Sequence, residues 1–411
     1  MEMTVRVLDT LEAYTNEQLD VLTEESGVFF CRQWLRMLDA VDLDSVLGGT
    51  VHKRYIVVLS EQRPVALCPF LVTSSDSIYA FYSFDKFFFK AWQDELLQLN
   101  PDKARFIRWV AGAVSMYRRF ACATGASTRG WVLGVSPTSY QFEIATAPMP
   151  ANAQAAVQAK VIESLEEIAS EEDMPLCLLG VRDEQQSLRD ALSSRGFREL
   201  FLMFDSVLPL EVASFDDYLK LFPSDARRRF KREIQQAEAA GVRFQNATDV
   251  RDVSVDLHTL YEATYAKYGQ ERFRHDPAFW QTLESHVGPH LSIVLASHGD
   301  RPVGFSALLH KGKDLHFWRV GRSNDAELAD VPLYFNLAVY EPIKRALEAG
   351  ATRLWLGPGS WEAKRRRGAQ AHACYSYIRF PRRWPRSVLT PYLSTFSRIS
   401  RMEQTAALGG N

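Results

Sequence analysis

Four cations in a row, Lys364, Arg365, Arg366 and Arg367, follow a Gly-Pro-Gly-Ser turn at residues 357–360, with Glu362 the lone acid beside them. Glycines let a backbone close around a ligand, and guanidinium forks match the oxygens of a carboxylate or phosphate. Lys364 has the flexible stem that carries a point charge to a phosphate or to a developing oxyanion. The bland alternative is a solvated basic loop.

Upstream, His316, Trp318 and Val320 alternate with Phe317 and Arg319 along an extended segment, so each set is expected on its own face. One face should line a cleft, with His316 and Trp318 as catalytic candidates. Trp318 reads equally well as core. Tyr334 and Asn336 open a long helix, and Arg322, Arg365 and Arg367 are further cations suited to an anionic ligand. A second basic cluster, Arg227, Arg228, Arg229, Lys231 and Arg232, is by default a solvated helix face. It could also track the backbone of a nucleic-acid carrier.

Other chemistries find no residues. His286 and His290 are four apart, but Gly288 and Pro289 break the helix that would align them, so no metal is assigned. There is no Gly-x-Ser-x-Gly elbow. The five cysteines are scattered and read as reduced core residues of a cytoplasmic protein; Cys374 alone lies near a histidine, His372.

The elements that position these residues repeat. Leu333, Leu337, Tyr340, Ile343, Lys344 and Leu347 recur at helical spacing, Gly350 suits a helix stop, and Thr352–Leu356 reads as a buried strand. Ahead of them, Leu291–His310 is strand, polar turn with Arg-Pro-Val, strand. Tyr55–Thr73 carries the same pattern. A helix-then-buried-strand pair occurs in both halves, at Gln154–Val181 and Phe335–Gly359. Ser77–Phe89 is dense in aromatics and is expected in the core. Two similar α/β units with a boundary near Leu210 follow, divided 1–210, 211–386 and a tail from 387 to 411.

At 411 residues, two domains of ordinary size fit better than one. A net charge of −2 provides no global field to recruit nucleic acid, so anion binding must be local and no DNA partner is expected. No apolar run approaches the ~20 residues that span a bilayer, and residues 1–10 lack the apolar stretch of a signal peptide.

Three segments carry a family resemblance: HGDRPVGFSALL (His298–Leu309), PLYFNLAVYEPIKRALEAG (Pro332–Gly350) and GPGSWEAKRRRGA (Gly357–Ala369). Together they resemble the GNAT acyltransferase fold, and the duplication resembles its FemABX-like tandem branch. The resemblance implies an α/β (α+β) chain of two tandem GNAT-like domains, each a central mixed sheet flanked by helices, the N-terminal one degenerate. It places Lys364 at the active cleft of the second domain and implies a donor-binding set of Tyr334, Asn336, Arg322, Arg365 and Arg367. It implies an N-acyltransferase with no permanently bound cofactor and a small-molecule or peptide amine as acceptor. The co-substrate is first an acyl-CoA thioester, alternatively an aminoacyl-tRNA. The segment Gly321–Phe335 lacks the glycine loop that cradles a CoA pyrophosphate. The stretch Arg353–Arg386 holds nine Lys/Arg against one acid. Both favour the tRNA alternative. A third reading, of another class, is a non-catalytic binding protein on the same fold.

Overall fold

A computed structural model describes residues 3–73, 82–83, 130–266, 273–381 and 386–407, with 105, 108, 109, 112 and 116. The aromatic stretch at 77–89 lies outside these, apart from Tyr82 and Ser83, which are fully buried. Cys122, Arg382 and Arg383 also lie outside the described residues.

The chain forms two compact units. The first holds residues 1–204, 271–274 and 373–411; the second holds 205–270 and 275–372. In the first, β1 (Met3–Leu8), β2 (Val51–Ser60), β3 (Arg63–Thr73) and β4 (Trp131–Gly134) are successive antiparallel neighbours. The short β5 (Ala145–Thr146) pairs with β3. Next to β4 lies β6 (Leu176–Arg182), parallel to it. A strand from the far end of the chain, β13 (Gln370–Arg379), pairs antiparallel with β6. The Ala151–Glu171 helix buries Val157, Val161 and Leu165 in this unit's core.

The second unit repeats the order. β8 (Val242–Asn246), β9 (Leu291–His298), β10 (Arg301–Lys311) and β11 (Asp314–Arg322) are antiparallel neighbours. β12 (Arg353–Gly357) lies parallel to β11, and residues 206–209 of β7 (Arg198–Pro209) pair antiparallel with β12. The first unit therefore takes β13 from the far end of the chain, while the second takes its β12 partner from the segment that opens it. This differs from the division at 210 and 386, because the β13 backbone is satisfied by β6 of the first unit.

Local chemistry explains the repeat. The β2–β3 turn places Glu61 and Gln62 at φ 50° and 65°, the left-handed pair of a tight hairpin. Pro64 and Pro302 are the second residues of β3 and β10, beside register shifts that tolerate a missing N–H. Gly350 stops its helix at φ 69°. Ser224 opens its helix but does not cap it; Pro223 holds the cap position.

The long helix of the second unit is not continuous. It runs as an α-turn (Leu333–Phe335), a π-turn (Asn336–Tyr340) and an α-helix (Glu341–Glu348). Pro342 has no N–H for the carbonyl four residues back, which loosens the ladder where the π-turn sits. Leu337, Ala338, Val339 and Tyr340 are all buried there.

Candidate functional site

In the second unit, β11 and β12 are in register at Asp314–Arg353, Leu315–Leu354 and His316–Trp355, and the pairing stops there. β11 continues for six more residues to Arg322 while β12 continues to Gly357, so the strands part beyond His316 and Trp355. Parallel strands that part leave backbone N–H and C=O groups facing an opening rather than each other. At its apex the imidazole of His316 stacks on the indole of Trp355, 5.6 Å between centroids and 14° apart. His372 lies 6.0 Å from the same indole.

Asp314 fixes this apex. Its carboxylate accepts from Arg353 Nε and Nη2, each at 2.7 Å, and from Trp355 Nε1 at 2.8 Å. Burial pushes its acidity down, but the bonds from Arg353 and Trp355, with the charges of His316 and Arg353, outweigh that and hold the carboxyl below its usual range.

The expected alternation along β11 breaks at Trp318. Ala307 pairs with Arg319 and Leu308 with Phe317, so Trp318 is the extra residue of a β-bulge. Beyond the bulge the faces exchange. Val320 joins the core cluster against which Phe317 packs, and no longer shares the face of Trp318. Trp318 packs on His275, Phe279 and Trp280, with centroids 5.4, 6.2 and 6.1 Å away. The Arg319 guanidinium lies 4.3 Å from the Trp318 ring. Burial, then the charges of Arg319 and His258, push the His275 imidazole well below its ordinary pKa. Trp318 is thus part of a buried aromatic cluster.

The turn after β12 is built on left-handed backbone: Gly357, Gly359 and Ser360 have φ of 75°, 82° and 51°. Lys364, on the Trp361–Arg365 helix, is buried and closes this turn. Its Nζ donates to the carbonyls of Leu356 (2.8 Å), Gly357 (2.8 Å) and Pro358 (3.2 Å). An ammonium has three donors, so all are engaged within the protein. The reading of Lys364 as a direct phosphate or carbonyl donor gives way to one as the anchor of the turn. Burial pulls its pKa down to about 8, with Asp205 opposing.

Arg367 departs from its expected place on a donor. It is buried, its guanidinium 3.8 Å from the Phe335 ring centroid. Nε donates to Tyr340 Oη (3.0 Å), Nη1 to the Ala363 carbonyl (2.9 Å) and Nη2 to Glu233 Oε2 (2.7 Å). Tyr340 Oη donates to the same Glu233 oxygen. Asn336 is buried too, its Nδ2 donating to the carbonyls of Glu233 (3.1 Å) and Pro332 (3.0 Å). Tyr334 is half-buried beside Phe335. Arg365 is exposed, as is Arg366, which pairs with Glu362. Arg322 is half-buried at the end of β11, where its backbone N–H donates to Thr264 Oγ1 at 2.6 Å.

On the Ser224–Ala239 helix, Arg228, Arg229, Lys231 and Arg232 are exposed, while Arg227 donates to the Phe222 carbonyl. Sequence reasoning missed Glu233, Tyr340, Asp314 and Trp355. One signal was present for Glu233: it is the lone acid in the run 227–234.

The first unit treats the equivalent place differently. β4 and β6 are in register over three pairs, ending at Gly134 and Leu178. The chain then folds back along β6, and the Phe142 N–H donates to the Gly180 carbonyl at 3.3 Å. Gly180 has φ 85°, and a methyl group there would lie 1.7 Å from the Tyr140 carbonyl oxygen. Residues 140–142 thus press on β6.

Residues 145–408 match the FemAB-like family, described as peptidoglycan biosynthesis/recognition. The chain belongs to the FemAB-like family. Among solved structures, this FemAB-like protein is similar to FemX at a TM-score of 0.54 and 11% identity, over 92% of this chain and 97% of that one. A conserved protein of unknown function from Bacteroides thetaiotaomicron matches at 0.50 and 11%, over 91% and 99%. A tandem GNAT protein from the clavulanic acid biosynthesis pathway matches at 0.45 and 12%, over 92% and 98%. No curated protein matches by sequence. The FemAB-like fold is two tandem GNAT-like units built on mixed sheet flanked by helices. Among the described residues no helix is long and apolar enough to cross a membrane.

Proposed function

We propose that the second unit transfers an acyl group from an activated carrier to an amine, at the opening between β11 and β12. The observation that carries this is the parting of the two strands beyond His316 and Trp355. A carbonyl seated at that apex meets backbone donors held by the sheet, which need no reorganisation as its oxygen becomes negative. The acceptor nitrogen attacks the carbonyl carbon. The new C–N bond forms, the bond to the carrier breaks, and the proton lost by nitrogen ends on the leaving group. His316 and His372 flank Trp355 and are the side chains suited to take that proton. Lys364 holds the turn that borders the opening. The first unit, whose own chain presses on β6, is not a second centre.

The carrier is first an acyl thioester. The exposed Arg228, Arg229, Lys231 and Arg232 favour a second reading, in which the carrier is an aminoacyl-tRNA and these cations meet its phosphates. The family's description supports a peptide amine of the peptidoglycan kind as acceptor. The test incubates the protein with labelled acyl-CoAs and charged tRNAs and a set of amines, with RNase as a control. An RNase-resistant amide supports the thioester. An RNase-sensitive amide supports the tRNA. Hydrolysis of neither donor and binding without turnover would support a non-catalytic binding protein.

A further inference from the structure

Arg367 joins three segments that are distant in sequence. Its guanidinium bonds Glu233 of the Ser224–Ala239 helix at 2.7 Å and Tyr340 at the end of the π-turn at 3.0 Å, and lies 3.8 Å from the ring centroid of Phe335. Its own carbonyl accepts from Tyr218 Oη at 2.8 Å. Three residues earlier in the chain, Lys364 ties the carbonyls of the Gly357–Gly359 turn. The short Trp361–Arg365 helix and the residues that follow it therefore carry two inward cations. One pins the turn after β12 and the other pins the π-turn.

Burying a guanidinium costs free energy that a well-packed apolar side chain would not, unless every donor is met. Here each of the three nitrogens has an acceptor inside the unit, so three of the five N–H donors are met by named groups. Such a network is weak as a device for stability and strong as a device for fixing geometry. What it fixes is the distance between two segments: residues 333–340, whose Leu333 and Leu337 pack in one cluster with Val320 on the part of β11 beyond its pairing with β12, and residues 357–360, which follow β12.

We infer that Arg367, with Glu233 and Tyr340, is a positioning residue that sets the width of the donor opening and touches neither donor nor acceptor. The inference rests on the reading of the opening as the donor site. A guanidinium reaches Glu233, Tyr340 and Ala363 at once from one plane; an ammonium cannot keep all three directions. Tyr340→Phe removes the shared hydroxyl and keeps the ring, so it is the gentle variant; Arg367→Lys is the stronger one.

The test has two arms. Hydrogen exchange on the free protein does not depend on activity. In Tyr340→Phe and Arg367→Lys, peptides covering residues 333–340 and 357–368 should exchange at least about tenfold faster, with β8 and β9 unchanged. Uniform acceleration across the unit, or no change in residues 333–340, would overturn the inference, because the network would then be general packing. Kinetics form the second arm, with whichever labelled donor the protein turns over. Donor KM should rise about tenfold while kcat stays within about twofold and acceptor KM is unmoved. A fall in kcat with donor KM unchanged would place Arg367 in the chemical step and overturn the positioning role. If the wild-type protein turns over no donor, the proposed function fails and the exchange result still decides whether the network pins both segments.

Discussion

His316 and Trp355 are the last residues that β11 and β12 hold in register, and their rings stack 5.6 Å apart at the point where the strands part. A half-buried carboxylate, Asp314, fixes the indole of that pair by accepting its N–H at 2.8 Å. The apex is therefore rigid on the side where charge would develop, which is the condition for electrostatic catalysis without reorganisation.

Lys364→Ala should lower turnover about 100-fold, because the turn after β12 loses its anchor and a misplacement of about 1 Å has that cost. The fold should persist, since the surrounding strands keep their pairing. Steady-state rates with circular dichroism check this. Wild-type turnover in the folded variant would show that the turn plays no part.

The pH profile should carry the mark of the same ammonium. Its pKa is about 8 in the folded chain against an ordinary 10.5. Over that window the unfolded chain binds more protons, so this group's contribution to stability rises with pH. Activity should move the other way. Above about pH 8 the amine has two N–H donors for three carbonyls, and kcat/KM should fall. Deprotonation of the acceptor amine gives the rising limb. In Lys364→Arg the falling limb near pH 8 should vanish, because a guanidinium does not titrate there.

Trp318 should behave as core. Its ring packs on His275, Phe279 and Trp280, so Trp318→Ala should destabilise the protein by about 3 kcal/mol or more. Trp318→Phe should keep most of the stability and leave donor KM unchanged. Denaturant melts and donor kinetics separate this from a substrate-wall role, in which Trp318→Phe would raise KM at constant stability.

The exposed arginines distinguish the carriers. Replacing Arg228, Arg229 and Arg232 together by Ala should leave acyl-CoA kinetics unchanged. If tRNA is the carrier, the same variant should bind it more weakly and with a salt dependence shallower by about 2–3 in slope, one unit per lost phosphate contact. An unchanged tRNA salt slope would remove this face from the carrier site.

Much of the fold was legible because it is local. The Arg-Pro-Val hairpins and the helix-then-strand pairs each lie in one stretch of chain, and their recurrence gave the two units. The placement of β13 beside β6 was not legible, since nothing within a strand says which neighbour will satisfy its backbone. The bulge at Trp318 was hidden for a related reason. A period-two pattern reads on through an extra residue, and only the partner strand reveals it. The basic run at 364–367 was found, but not its division of labour. Arg367 is satisfied by Glu233, 134 residues away, whereas Arg366 is satisfied by Glu362 within the same turn. Composition alone cannot tell an inward cation from an outward one.

The most direct test of the central claim is to capture the donor where it binds. An acyl-CoA or aminoacyl-tRNA analogue with a photoreactive group on the acyl chain is irradiated on the full-length protein, and the labelled peptides are sequenced by mass spectrometry. The account predicts label on β11 between residues 316 and 322, or on residues 355–360 after β12. Label confined to β4 and β6 of the first unit, with none on β11 or β12, would contradict it.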